Sequence, residues 1–114
     1  MAVGSNLLID VSRNEERVVL RLDGELDLAS VPLLESEVEN ATLDNPATVV
    51  LDLRGLEFID STGLRAILSL DKRCADSGQT FALVRGSQQV QRLMNMTRVD
   101  EHLKIIDSPE EILL

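Results

Sequence analysis

A chain of 114 residues with 20 acidic and 11 basic side chains, a formal net charge of −9, has room for one hydrophobic core. Its surface repels nucleic-acid phosphates and anionic lipid, which argues against direct binding of DNA, RNA or a membrane; the charge serves solubility, and the sharper reading is a basic partner surface. Phe58 and Phe81 are the only aromatic rings, so bases and sugars find no stacking platform and the core has to be aliphatic.

Cys74 is the single cysteine, so no intrachain disulfide forms. No apolar run approaches the ~18 residues of a membrane span. Met1 to Ser5 lacks the basic and apolar regions of a secretory signal, and the cytosol is the expected compartment.

In chain order, Leu7 to Val11 and Val18 to Leu22 read as short strands, the second closed by Asp23 and Gly24. The polar stretch Arg13 to Glu16 between them predicts an antiparallel hairpin. Ser30 as N-cap and Pro32 in the first turn open a helix whose apolar positions Leu34, Val38 and Ala41 recur at helical spacing; Asn45 and Pro46 end it. Thr48 to Leu53 is a β-branched, apolar run, the pattern of a strand covered on both faces, and Arg54 to Ile59 reads as a loop. A second helix begins near Ser61, with Leu64, Ile67, Leu68 and Ala75 as its buried stripe and Gly78 as its C-terminal cap. Thr80 to Val84 is the next buried strand, and Ser87 opens a third helix with Val90, Leu93 and Met94 on one face. Lys104 to Ile106 reads as a last short strand. Ser108, Pro109 and Glu111 then combine an N-cap, a first-turn proline and the glutamate of a capping box, which predicts a fourth helix. This order gives an α/β fold in one domain over residues 1–114, its core from about residue 5: a mixed, mostly parallel sheet of four or five strands with four helices packed on it.

The inventory for catalysis is poor. His102 is the only histidine, and with Cys74 it makes two residues where a His and Cys metal site needs several. No P-loop or other glycine-rich phosphate cradle is present. Ile59 to Gly63 differs from a nucleophile elbow, because isoleucine stands where the first glycine is required. The reading is a non-enzyme without cofactor or metal. Cys74, within the second helix, reads as a small residue near the core.

One segment is left. Asp60, Ser61 and Thr62 are three consecutive polar residues where a single N-cap would suffice, and Gly63 follows in the first turn despite a helix cost of up to ~1 kcal/mol. A glycine there leaves the hydroxyls unobstructed for an approaching protein.

Two stretches carry a resemblance: Gly24 to Asp27, reading Gly-Glu-Leu-Asp after the second strand, and Leu51 to Leu64, reading Leu-Asp-Leu-Arg-Gly-Leu-Glu-Phe-Ile-Asp-Ser-Thr-Gly-Leu. With them, essentially residues 5–114 resemble a STAS domain, the family of bacterial anti-sigma factor antagonists. The resemblance implies a phosphoacceptor at Ser61, directly after the aspartate, with Thr62 as a secondary site. It implies a partner-binding surface formed by Glu25, Asp27, Phe58, Asp60, Ser61, Thr62, Gly63 and Arg65. The implied partners are an anti-sigma factor with a histidine-kinase-like ATPase fold, which phosphorylates the antagonist, and a PP2C-type phosphatase that resets it. In this reading the unphosphorylated chain, a monomer or weak dimer, binds the anti-sigma factor and frees a sigma factor. Three further assignments use the same residues: a STAS scaffold subunit of a stress-sensing complex or transporter tail, an antagonist under redox control through Cys74, and an enzyme working through Ser61 and His102.

Overall fold

The structure, a computed structural model, describes residues 6–111. Five strands lie side by side in sequence order: β1 (Leu7–Asn14), β2 (Arg17–Leu26), β3 (Thr48–Ile59), β4 (Thr80–Val84) and β5 (Ile105–Ile106). β1 runs antiparallel to β2, and every other neighbouring pair is parallel. Helices α1 (Val31–Ala41), α2 (Ser61–Asp76) and α3 (Gln88–Met96) connect them, and Val99–Glu101 and Pro109–Glu111 are single 3-10 turns. The mixed, mostly parallel sheet is as expected; the helices number three.

Of the expected fourth helix, the described residues hold a single 3-10 turn. The glutamate half of its capping box forms, with the Glu111 carboxylate accepting from the backbone N–H groups of Asp107 (2.8 Å) and Ser108 (3.0 Å), while the Glu111 N–H donates to the Ser108 carbonyl. The Pro109 carbonyl accepts from Arg17 Nη1 at 2.8 Å, which ties this turn to β2. Residues 112–114, where the helix would have run on, lie outside the described part.

Strand alternation sorts the side chains into two layers. Val18 pairs with Val49 and Leu20 with Leu51, while Val49 and Leu51 in turn meet Phe81 and Leu83 across the next ladder. These face the helices and join Leu34, Val38 and Ala41 of α1, Ile67, Leu70 and Cys74 of α2, and Val90 and Met94 of α3 in one aliphatic core. Val50, Ala82, Val84 and Ile106 form a smaller buried cluster on the other face, which is why Thr48 to Leu53 lacks the polar alternation of a half-exposed strand. Within α2 the stripe runs through Ile67, Leu70 and Cys74; Leu68 is half-buried and Ala75 exposed. At about 100° per residue, position 74 returns to the face of Ile67 after two turns and position 75 does not.

The hairpin turn holds only Glu15 and Glu16, because Asn14 already pairs with Arg17. β2 and β3 also run further than their sequence pattern suggests. β2 absorbs Gly24 to Leu26, and β3 continues through Arg54 to Ile59, where a loop was expected. The register shifts twice along this extension, between Arg21 and Asp23 and between Gly24 and Glu25. Such irregularities break the two-residue rhythm and bend the strands. Gly55 makes the pairing feasible: a Cβ there would fall 1.7 Å from Asp23 Oδ1. The outcome is that β2 and β3 end together, delivering Asp27 and Asp60 to one end of the sheet.

A candidate docking site at the end of strands two and three

Asp60 organises this end. Its backbone is extended, and its Oδ1 accepts from the Gly63 N–H at 2.9 Å, which makes it the N-cap of α2 and Ser61 the first helical residue. Its Oδ2 accepts from the Leu28 N–H at 3.3 Å, and its own N–H donates to the Leu26 carbonyl at 3.2 Å. One carboxylate thus clamps the start of α2 to the loop that follows β2.

That loop is folded around Asp27, whose Oδ1 accepts from the N–H groups of Ala29 and Ser30, both at 3.1 Å. Ser30 holds the N-cap position of α1, as the pattern of the sequence predicts, but its side chain makes no capping hydrogen bond. Its hydroxyl is fully buried and turns back to donate to the Glu25 carbonyl at 2.8 Å, tying the loop to β2. Glu25 lies opposite Phe58 in the ladder and accepts from Asn6 Nδ2 at 3.5 Å.

Ser61 is exposed, and its hydroxyl has no hydrogen-bond partner among the described residues. Thr62 is half-buried and Arg65 exposed one turn further along α2. Gly63 is buried: a Cβ there would meet the Leu26 carbonyl oxygen at 2.6 Å and Ile59 Cγ1 at 2.8 Å. Its role is packing. The missing side chain lets the first turn of α2 sit directly on the end of β2, rather than clearing space around the hydroxyls.

Ser61 and Asp60 border an open groove of about 420 Å³ between the end of β3 and helix α3. Phe58 and Ile59 line one side and Val90, Leu93 and Met96 the other, with Gln89 and Arg92 among them. Phe58 is 44% exposed and Met96 74%, an investment of apolar surface in water that folding alone does not require. The loop contributes Leu28 at 73%. The α3 residues and Leu28 escape sequence reasoning. Gln89, Arg92, Leu93 and Met96 do recur at i, i+3, i+4 and i+7, a second stripe beside the buried Val90 and Met94, and that spacing was the signal.

The other candidates lie apart. His102 is exposed beyond the Val99–Glu101 turn and does not border the groove. Cys74 is buried, and burial, with Asp71 nearby, pushes its thiol pKa up and disfavours the thiolate. Among the described residues no group of His, Cys, Asp or Glu is placed to hold a metal, and no helix is long and apolar enough to cross a membrane.

The sequence matches the STAS domain family over residues 9–112. It is 25% identical over 113 residues to the anti-sigma-F factor antagonist RsfB of Mycobacterium tuberculosis, covering 99% of this chain and 92% of that protein. The crystal structure of an anti-sigma factor antagonist from Mycobacterium paratuberculosis superposes with a TM-score of 0.83 at 22% identity, over 92% of this chain and 89% of that one. The Bacillus cell fate determinant SpoIIAA, solved in its phosphorylated form, superposes with a TM-score of 0.68 at 21% identity, over 91% and 95% of the two chains.

Proposed function

The chain belongs to the STAS domain family, and from that membership we propose that it is a cytoplasmic anti-sigma factor antagonist switched off by phosphorylation of Ser61. The observation that carries the reading is the Ser61 hydroxyl: exposed, without a hydrogen-bond partner among the described residues, and held at the first turn of α2 by the Asp60 clamp. The named relatives are antagonists of anti-sigma factors, and one of them has been solved with phosphate attached.

The unphosphorylated chain docks an anti-sigma factor with a histidine-kinase-like ATPase fold through Glu25, Asp27, Phe58, Asp60, Ser61, Thr62 and Arg65. The partner's ATP then supplies the phosphoryl group. The Ser61 oxygen bonds to the γ-phosphorus, the bond to ADP breaks, and the hydroxyl proton passes to a base of the kinase. A PP2C-type phosphatase reverses the step by hydrolysis. The phosphate adds about −1.5 to −2 charge units at the centre of the contact. Helix N-termini tolerate such charge, so the fold survives and docking does not. A loss of about 4 kcal/mol would weaken binding roughly a thousandfold. The free chain is a monomer or weak dimer.

The test is capture from native cytosol with four baits. Unmodified chain and Ser61→Ala should retain an ATPase-fold protein, identified by mass spectrometry, that Ser61→Asp and Ser61→Glu lose. Equal retention by all four defeats the proposal.

A further inference from the structure

Arg92 stands on the α3 side of the groove that Ser61 and Asp60 border. It is exposed, and it differs from Arg13, Arg21, Arg54, Lys72 and Arg85 in forming no ion pair among the described residues. The charged residues on the segments that meet at this end are Glu25 of β2, Asp27 of the β2–α1 loop, Glu57 of β3, Asp60 of the clamp, Arg65 of α2 and Arg92 of α3. Of the two cations, only Arg92 borders the groove.

Consider what a phosphate on Ser61 would find. The first N–H groups of α2 are already in part occupied, Gly63 N–H by Asp60 Oδ1 and Leu64 N–H by the Asp60 carbonyl at 3.0 Å. The Asp60 carboxylate itself repels a second anion. The helix end therefore offsets the new charge only in part, and the cation that lines the groove is a guanidinium, whose planar fork suits phosphate oxygens.

We propose that the phosphate of phosphoserine 61 is held by Arg92 across the mouth of the groove, covering the apolar surface of Phe58 and Leu93. This rests on the phosphoserine reading and deepens it. Phosphorylation then acts twice: it adds charge at the docking surface, and it lays a side chain over the apolar groove into which a partner residue would otherwise insert. Arg92 is a positioning residue for the phosphate and takes no part in its transfer.

The test needs neither kinase nor partner. Phosphoserine is incorporated at position 61 during translation, and its phosphate is titrated by ³¹P NMR in the otherwise unchanged chain, in Arg92→Gln and in Arg65→Gln. A neighbouring guanidinium favours the dianion, so the second ionisation in the unchanged chain falls below the ordinary value of about 6. Arg92→Gln raises it by about half a unit, a threefold change in the equilibrium, and by more than Arg65→Gln, which removes a cation one helical turn from Ser61. An unaltered titration in Arg92→Gln, or a shift that follows Arg65 instead, overturns the proposal. Equal denaturation midpoints of the unphosphorylated forms verify that the substitutions leave the fold intact. Because the phosphate is installed chemically, this result is independent of the capture experiment. A failed titration with bait discrimination intact removes the bridge and leaves the antagonist; the converse removes the antagonist and leaves the bridge.

Discussion

Replacing Gly63 by alanine sets two effects of opposite sign against each other. Alanine is the better helix former by about 0.8–1.0 kcal/mol, and on propensity alone Gly63→Ala should stabilise the chain. The structure predicts the reverse. The new methyl would lie 2.6 Å from the Leu26 carbonyl oxygen, 2.8 Å from Ile59 Cγ1 and 3.0 Å from Leu26 Cγ. The first of these is backbone, pinned further by the Asp60 N–H that donates to it, and cannot rotate aside. Overpacking of this kind costs about 1–3 kcal/mol, or more where backbone has to move. The relief available is for α2 to lift from the end of β2, which stretches the Asp60 clamp and displaces Ser61. Net destabilisation of about 1–2 kcal/mol follows, from the upper part of the overpacking range less the propensity gain. Urea denaturation followed by far-UV circular dichroism reads it directly. With a slope of about 1–3 kcal/mol per molar urea, the midpoint should fall by several tenths of a molar unit or more. A midpoint at or above that of the unsubstituted chain would refute the packing argument and return Gly63 to the role of clearing space around the hydroxyls.

Three other outcomes are expected. Asp60→Ala removes the α2 cap and the tether to Leu28, and should lower stability by about 0.5–2 kcal/mol in the same assay, with Asp60→Asn losing less. Asp52 is buried, which pushes its carboxyl pKa up, but the Arg54 hydrogen bonds and charge outweigh that and hold it below the ordinary 3.8. A carboxylate depressed on folding contributes stability that is complete above 3.8 and lost as the pH falls through its lower folded value, so the acid-side drop in denaturation midpoint should be shallower in Asp52→Asn. Cys74, buried and with its thiol pushed up, should react with a thiol reagent at neutral pH only at the rate at which the chain opens; rapid labelling of the native protein would revive a redox role.

How much of this was legible in the sequence depended on whether local pattern or tertiary contact decided the matter. Thr48 to Leu53 and Thr80 to Val84 are apolar enough to announce central strands, and Ser87 caps α3 with a hydroxyl that accepts from Val90 N–H at 3.3 Å. Residues 54–59 read as a loop because two register shifts scramble their alternation, and the reason the strand continues, the Asp23 side chain filling the space above Gly55, is written 32 positions earlier in the chain. Ser30 reads as the N-cap of α1 and occupies that position, but the sequence does not show that the Asp27 turn and the Glu25 carbonyl take its hydroxyl away from the helix. The Asp60 to Gly63 segment stood out as polar residues in excess of one cap's needs. The far side of the groove did not, since Arg92, Leu93 and Met96 become neighbours of Ser61 only when α3 packs beside the end of β3.

Central to the account is a Ser61 hydroxyl that another protein both touches and phosphorylates. Incubating the purified chain with the ATPase-fold protein captured by the Ser61→Ala bait, with ATP, and mapping the product by mass spectrometry tests this most directly. A single phosphate on the peptide that contains Ser61, and release of the modified chain from its partner, are the expected results. Phosphate on another residue, or a modified chain that stays bound, would contradict that role of Ser61.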